Sequence, residues 1–169
     1  MDVVRAAVER MGGHVSIDSV HGRGTIVRMS LPLTIMMTQV MTVSVGNERY
    51  GIPIDGIVET AFVPSDRIVP IRDSKAFVLR DRTLPLVRLA DLLGVDSTLG
   101  ARTGEKVLIV PVGGDLVGVA VDRFAERMDV LMRPMTGILA GMQGVVGTTL
   151  LGDGSVLMIL DIPELFGWG

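Results

Sequence analysis

"GNERYGIPIDGIVE", residues 46–59, and "GGDLVGVAVDRFAE", residues 113–126, together decide the fold. Gly46, Gly51, Ile52, Ile54, Asp55, Ile57 and Glu59 in the first find counterparts in Gly113, Gly118, Val119, Val121, Asp122, Phe124 and Glu126 in the second, all at one constant offset. A further block repeats in the same order. Leu86-Val87-Arg88-Leu89-Ala90-Asp91-Leu92-Leu93-Gly94 shares its pattern with Ile159-Leu160-Asp161-Ile162-Pro163-Glu164-Leu165-Phe166-Gly167, each closing on a glycine after a short amphipathic turn. Two blocks in one order indicate a duplicated unit of roughly 60–70 residues. Many short strands with glycine turns, taken twice, are the signature of paired small β-barrels or a sandwich.

Outward from the repeat, the periodicity supplies the elements. Val3, Val4, Ala7, Val8 and Met11 recur at steps of three and four, which predicts a helix over 2–11 capped by Gly12. From His14 the period becomes two, predicting a hairpin over 14–31 with its corner at His21-Gly22-Arg23-Gly24, where glycines supply positive φ. Those glycines lie between strands rather than ahead of a helix, which is the wrong geometry for a phosphate loop. Thr38 to Val45 reads as a strand, turned by Gly46-Asn47 into a second run from Arg49 to Val58. Pro53 inside that run predicts an edge strand or a bulge. Phe77 to Leu79 and Thr83 to Leu89 flank the turn Arg80-Asp81-Arg82, residues 95–104 read as a linker, and Gly152-Asp153-Gly154 marks the clearest hairpin turn.

Composition excludes several classes. Across 169 residues there is no cysteine, so disulfides, thiolate metal sites and cysteine nucleophiles are ruled out. Net charge is −3 and the arginines are scattered, which argues against a nucleic-acid partner. No apolar run is long enough for a membrane helix and no signal peptide is legible, so the expectation is a soluble, cytoplasmic chain without membrane insertion. His14 and His21 lack further ligands at a readable spacing, and no metal site is expected. Asp153 and Asp161 do not form an acid and base pair, Gly-x-Ser-x-Gly is missing, and no catalytic residue is assigned. Met36, Met37 and Met41 read as core filling.

At this point the residues resemble a known family. "MDVVRAAVERMGGHVSIDSVHGRGTIVRMSLPLTIM", residues 1–36, resembles the end of the ATP-binding domain of the CheA chemotaxis histidine kinases, where Met-Asp-Val-Val follows the ATP lid and Gly-x-Gly-Thr near Leu-Pro-Leu finishes the domain. "GNERYGIPIDGIVE", "LPLVRLADLLG" and "GTTLLGDGSVLMILDIPELF" resemble the CheW-like regulatory domain that follows it. The resemblance implies a mainly β fold: two SH3-like five-stranded barrels over 35–169, with halves at about 38–97 and 105–169, preceded over 1–34 by a helix and hairpin left from an α/β histidine-kinase ATPase domain. The free adaptor CheW has no counterpart of the first part, which disfavours a free-standing adaptor.

The same resemblance implies a function. CheW-like domains pair with CheW adaptors and contact the cytoplasmic tips of chemoreceptors, so the expected partners are a CheW-type adaptor, those tips and the rest of the kinase, at membrane-associated receptor arrays. Leu79 and Arg80 match the adaptor's Leu-Arg-Gly turn, with Asp81 in place of the glycine, and Ile57 and Glu59 match a Val-x-Glu pair; these four are the expected partner-binding residues. Thr25 matches a residue on the adenine side of the ATP site that acts through a water, and the other nucleotide motifs would lie before Met1. No cofactor is expected for this chain alone, ATP and Mg belonging to the intact kinase; a nucleotide site completed by another polypeptide is the alternative. The first segment is expected to pack on a neighbour or fray.

Overall fold

The structure, a computed structural model, describes residues 2–10, 13–31, 36–72, 74–97, 103–135 and 141–167. The chain divides into two compact units, Met1–Met36 and Met37–Gly169. In the first, helix α1 (Asp2–Arg10) packs against strand β1 (His14–Val20), which pairs antiparallel with β2 (Gly24–Ser30) from His14 opposite Ser30 to Val20 opposite Gly24. Gly22 and Gly24 take positive φ at the corner, as the sequence predicts. Val8 and Val15 are buried, whereas Ile17, Val20, Ile26, Val27, Met29 and Leu31 are exposed. The expected helix end at Met11 and cap at Gly12 lie outside the described residues.

The second unit is built from strands. Its first half contains β3 (Met36–Val45), β4 (Glu48–Pro53), β5 (Glu59–Pro64), β6 (Ile68–Ile71), β7 (Ser74–Leu79), β8 (Arg82–Arg88) and α2 (Leu89–Leu93). Its second half contains β9 (Gly104–Val112), β10 (Asp115–Val121), β11 (Arg123–Met132), β12 (Val145–Leu150), β13 (Val156–Leu160) and α3 (Ile162–Leu165). Two sheets result, in the orders β11-β3-β4-β13-β12 and β5-β9-β10-β8-β7-β6.

Both sheets curl. In the five-stranded sheet, the residue after β11 bridges to β12: Arg133 and Thr148 exchange backbone hydrogen bonds of 2.9 Å each way, joining the two edges. In the six-stranded sheet, β5 and β6 occupy opposite edges, yet only the 3-10 turn Ser65–Arg67 separates them in sequence. Four residue steps reach about 14 Å at most, whereas the edges of a flat six-stranded sheet would stand about 24 Å apart. The sheet must therefore close on itself. The sixth strand, beyond the expected five, is β6, split from β5 by that turn.

The halves at 38–97 and 105–169 do not correspond to one sheet each. The β3–β4 hairpin of the first half lies among β11, β12 and β13 of the second, and the β9–β10 hairpin of the second lies among β5 to β8 of the first. The reason is visible in the core. Alternate residues of these hairpins face two different interiors: Val40 packs with Val130, Leu157 and Ile159, and Val107, Ile109 and Ala120 pack with Phe77, Leu84 and Leu86, while Met41, Val43, Val45, Leu108, Val110, Val119 and Val121 meet in a third cluster between the barrels. A strand apolar on both faces must be covered on both. Each hairpin achieves this by filling the other half's barrel on one side and the common seam on the other.

Pro53 departs from its expectation. β4 is the middle strand of its sheet, neither an edge nor bulged at this residue, and Pro53 is its last residue, opposite Val40 and followed by the 3-10 turn Ile54–Gly56. At a strand end the missing N–H removes little from the ladder. The same turn stops the run that the sequence extends to Val58. Among the methionines, Met41 is buried but Met37 is exposed, which corrects its assignment to the core; the Met36 side chain lies outside the described residues.

Candidate functional site

The turn between β7 and β8 has two residues, Arg80 and Asp81, with Leu79 opposite Arg82 closing it. Both loop residues lie in the left-handed region, at φ 47° and 63°. Such a primed turn follows the twist of its strands but normally takes Asn-Gly or Asp-Gly. An arginine held there costs roughly 1–2 kcal/mol relative to its preferred backbone. The conformation turns the Arg80 guanidinium toward the start of β5, where Nη2 donates to Glu59 Oε2 at 2.9 Å. Arg80 is 78% exposed and Glu59 28%. At that exposure the pair stabilises the fold by about 1 kcal/mol or less.

The four residues singled out from the sequence therefore separate by role. Glu59 and Arg80, 21 positions apart, meet in an ion pair. Ile57 and Leu79 are half-buried and point into different clusters, Ile57 into the seam and Leu79 into the six-stranded barrel. Beside them in sequence, Val58 and Val78 are both 57% exposed. The charged pair thus has a solvent-facing aliphatic residue close in sequence to each partner.

A second polar group was not legible in the sequence. Arg88 Nη2 donates to Glu105 Oε1 at 2.6 Å across the join between the halves. This hydrogen bond is the largest cause holding the guanidinium above its ordinary pKa, against the opposing effect of burial. Nearby, Asp122 accepts from the Gly46 amide and from Ser97 Oγ, both at 2.6 Å, while its own amide donates to Ser44. These side chains line a cavity of about 10 Å³, room for at most one water. The available signal was the repeat itself, which keeps an aspartate at 55 and 122; Asp55 is exposed in its 3-10 turn.

Thr25 sits on β2 with its hydroxyl 3.0 Å from Ser19 Oγ, exposed, and this pair of neutral hydroxyls does not by itself fit a triphosphate or its magnesium ion. His14 and His21 are exposed and well separated along the hairpin. Asp153 accepts from the hydroxyl and amide of Ser155, which keeps its carboxyl below the usual range, and Asp161 caps α3 by accepting from the Glu164 amide. Among the described residues no helix is long and apolar enough to cross a membrane.

Comparison with known proteins adds a family and a set of relatives. The model of the CheW-like domain matches residues 39–168. Sensor histidine kinase CheAY of Helicobacter pylori is 33% identical over 165 residues, 98% of this chain and 20% of its own length. Chemotaxis protein CheA of Halobacterium salinarum is 39% identical over 168 residues, 98% of this chain and 24% of its own length. The chain thus spans about a fifth to a quarter of these relatives. The scaffolding protein TtCheW of Thermoanaerobacter tengcongensis has a similar fold, with a TM-score of 0.62 over 78% of this chain and 93% of that one at 21% identity.

Proposed function

The chain belongs to the CheW-like domain family, and from that premise we propose that it is the regulatory docking module of a chemotaxis histidine kinase, coupling chemoreceptors and a CheW-type adaptor to the kinase without performing chemistry by itself. The observation that carries the reading is the Arg80–Glu59 ion pair, its arginine exposed on a left-handed turn, with Val58 and Val78 exposed near the two partners in sequence. Ile57 and Leu79 hold the two ends of this surface in the cores beneath it. A partner helix with an apolar ridge and a carboxylate fits such a surface, the carboxylate competing with Glu59 for Arg80.

A kinase parent is favoured over a free-standing adaptor by the extent of the matches. CheA relatives align over 98% of the chain, whereas the TtCheW fold covers 78% and the family model leaves residues 1–38 outside. In that parent the exposed aliphatic face of the β1–β2 hairpin would be covered by the rest of the ATPase domain. Thr25, ATP and Mg would act only there, in the cytoplasm at receptor arrays.

Two direct titrations of the chain test the proposal. Saturable binding to a CheW-type adaptor and no measurable binding of Mg-ATP is the expected outcome. Mg-ATP binding to the chain alone would overturn the non-catalytic part. Failure to bind either the adaptor or a receptor-tip segment would overturn the docking part.

A further inference from the structure

The two halves of the second unit are joined by strand pairing as extensively as the parts of a single sheet. β4 pairs in parallel with β13 and β10 in parallel with β8, and repeat-equivalent residues meet in the two pairings, Gly51 opposite Ile159 and Gly118 opposite Leu86. β5 pairs antiparallel with β9, and β3 lies beside β11. Separated, each half would keep a two-stranded hairpin whose both faces are apolar, which is not stable in water. Shape complementarity is built into the same pairings. A Cβ at Gly118 would overlap the Phe77 ring of the first half, and one at Gly51 would lie 3.2 Å from Leu157 of the second. Each glycine is a notch that receives a large side chain from the opposite half.

We propose that the halves, residues 37–97 and 103–167, are a complementary binding pair that closes within one chain or equally between two copies, giving an exchanged dimer in which each barrel pair combines the first half of one copy with the second half of the other. The halves are contiguous in sequence and connected once, through 98–102, so exchange requires no strand to be threaded through a barrel. Closed and exchanged forms contain the same strand pairs. Chain concentration, rather than new contacts, sets their ratio.

The test uses the full chain with a site-specific protease sequence placed within 98–102. After cutting, the two pieces are expected to elute together at the mass of one chain with an unchanged far-ultraviolet circular dichroism spectrum. Two full-length copies with different affinity tags, unfolded together and refolded at high concentration, are expected to give a dimer carrying both tags. Cutting at 98–102 should convert that dimer to particles of single-chain mass. In the cut chain, Gly118→Val should weaken association of the pieces about tenfold or more. Gly152→Ala, whose added methyl meets open space, should leave it unchanged. Pieces that separate in native buffer, a half that folds by itself, or tags that never share a particle would overturn the proposal.

Discussion

Glu59 and Glu126 occupy the same place in the two copies of the repeat, on the strand that follows the β3–β4 or β9–β10 hairpin, Glu59 as the first residue of β5 and Glu126 as the fourth of β11, and they have diverged in use. Glu126 is bound through its backbone, its amide and carbonyl both engaging the buried Thr42 hydroxyl, and its side chain lies 3.6 Å from Arg49 of β4 in the same sheet. Glu59 instead pairs with an arginine presented on a strained turn. The aspartates diverge as well: Asp122 ties the Gly46 turn and Ser97 together, while Asp55 faces solvent. In the second copy Asp122 and the Glu126 backbone hold the fold, although the Glu126 side chain, 66% exposed, reaches solvent more than that of Glu59 at 28%. The proposed docking surface lies on the first copy, where Arg80 is presented on a left-handed turn.

The comparison can be broken most severely at its glycines. Gly118→Ala forces a methyl into the Phe77 ring and should cost about 3 kcal/mol, whereas Gly51→Ala, with 3.2 Å to the end of Leu157, should cost about 1 kcal/mol. Urea unfolding of the two variants measures the difference. Asp122→Ala leaves the Gly46 amide without its acceptor and should cost about 2 kcal/mol; Asp55→Ala should stay within about 0.5 kcal/mol. Equal losses would mean that the two aspartates had not diverged. Asp81→Gly, which relieves a left-handed aspartate, should raise stability by about 1 kcal/mol in thermal unfolding.

The smallest effect concerns acid. Asp153 titrates below its ordinary value because Ser155 hydrogen-bonds the ionised form. A carboxyl lowered in the folded state contributes stability that is present above its unfolded pKa and lost as pH falls through the folded one. Ser155→Ala should therefore lower stability slightly at neutral pH and leave it nearly unchanged near pH 2, flattening the acid limb of the profile, a trend readable from thermal melts between pH 2 and about pH 6.

The contrast between the copies also explains what the sequence discloses. Strand and turn positions follow from short-range signals: the Gly46-Asn47 and Gly152-Asp153-Gly154 turns, the β-branched runs and the repeat are all legible in the order of residues. Exchange of the hairpins is not, because pairings such as Gly118 with Leu86 depend on which apolar face finds which partner across the chain. Pro53 misled for a related reason. Local chemistry says that proline suits an edge, but its position at the final residue of a central strand is decided by the 3-10 turn that follows. At the site, family resemblance located Glu59 and Arg80 separately; their pairing required the closed barrel. Arg88 and Glu105 carry no local motif and become recognisable only when β8 and β9 are brought together across the halves.

The most direct test compares the two arginines that face the repeated glutamates. Calorimetric titration of a CheW-type adaptor and of a receptor-tip segment into the chain, into Arg80→Ala and into Arg49→Ala separates docking from scaffold. Arg80→Ala should weaken binding of at least one partner about tenfold or more, with a melting temperature close to that of the unaltered chain, and Arg49→Ala should leave both affinities within about twofold. Unchanged binding by Arg80→Ala, or equal losses in the two variants, would contradict the assignment of docking to the first copy of the repeat.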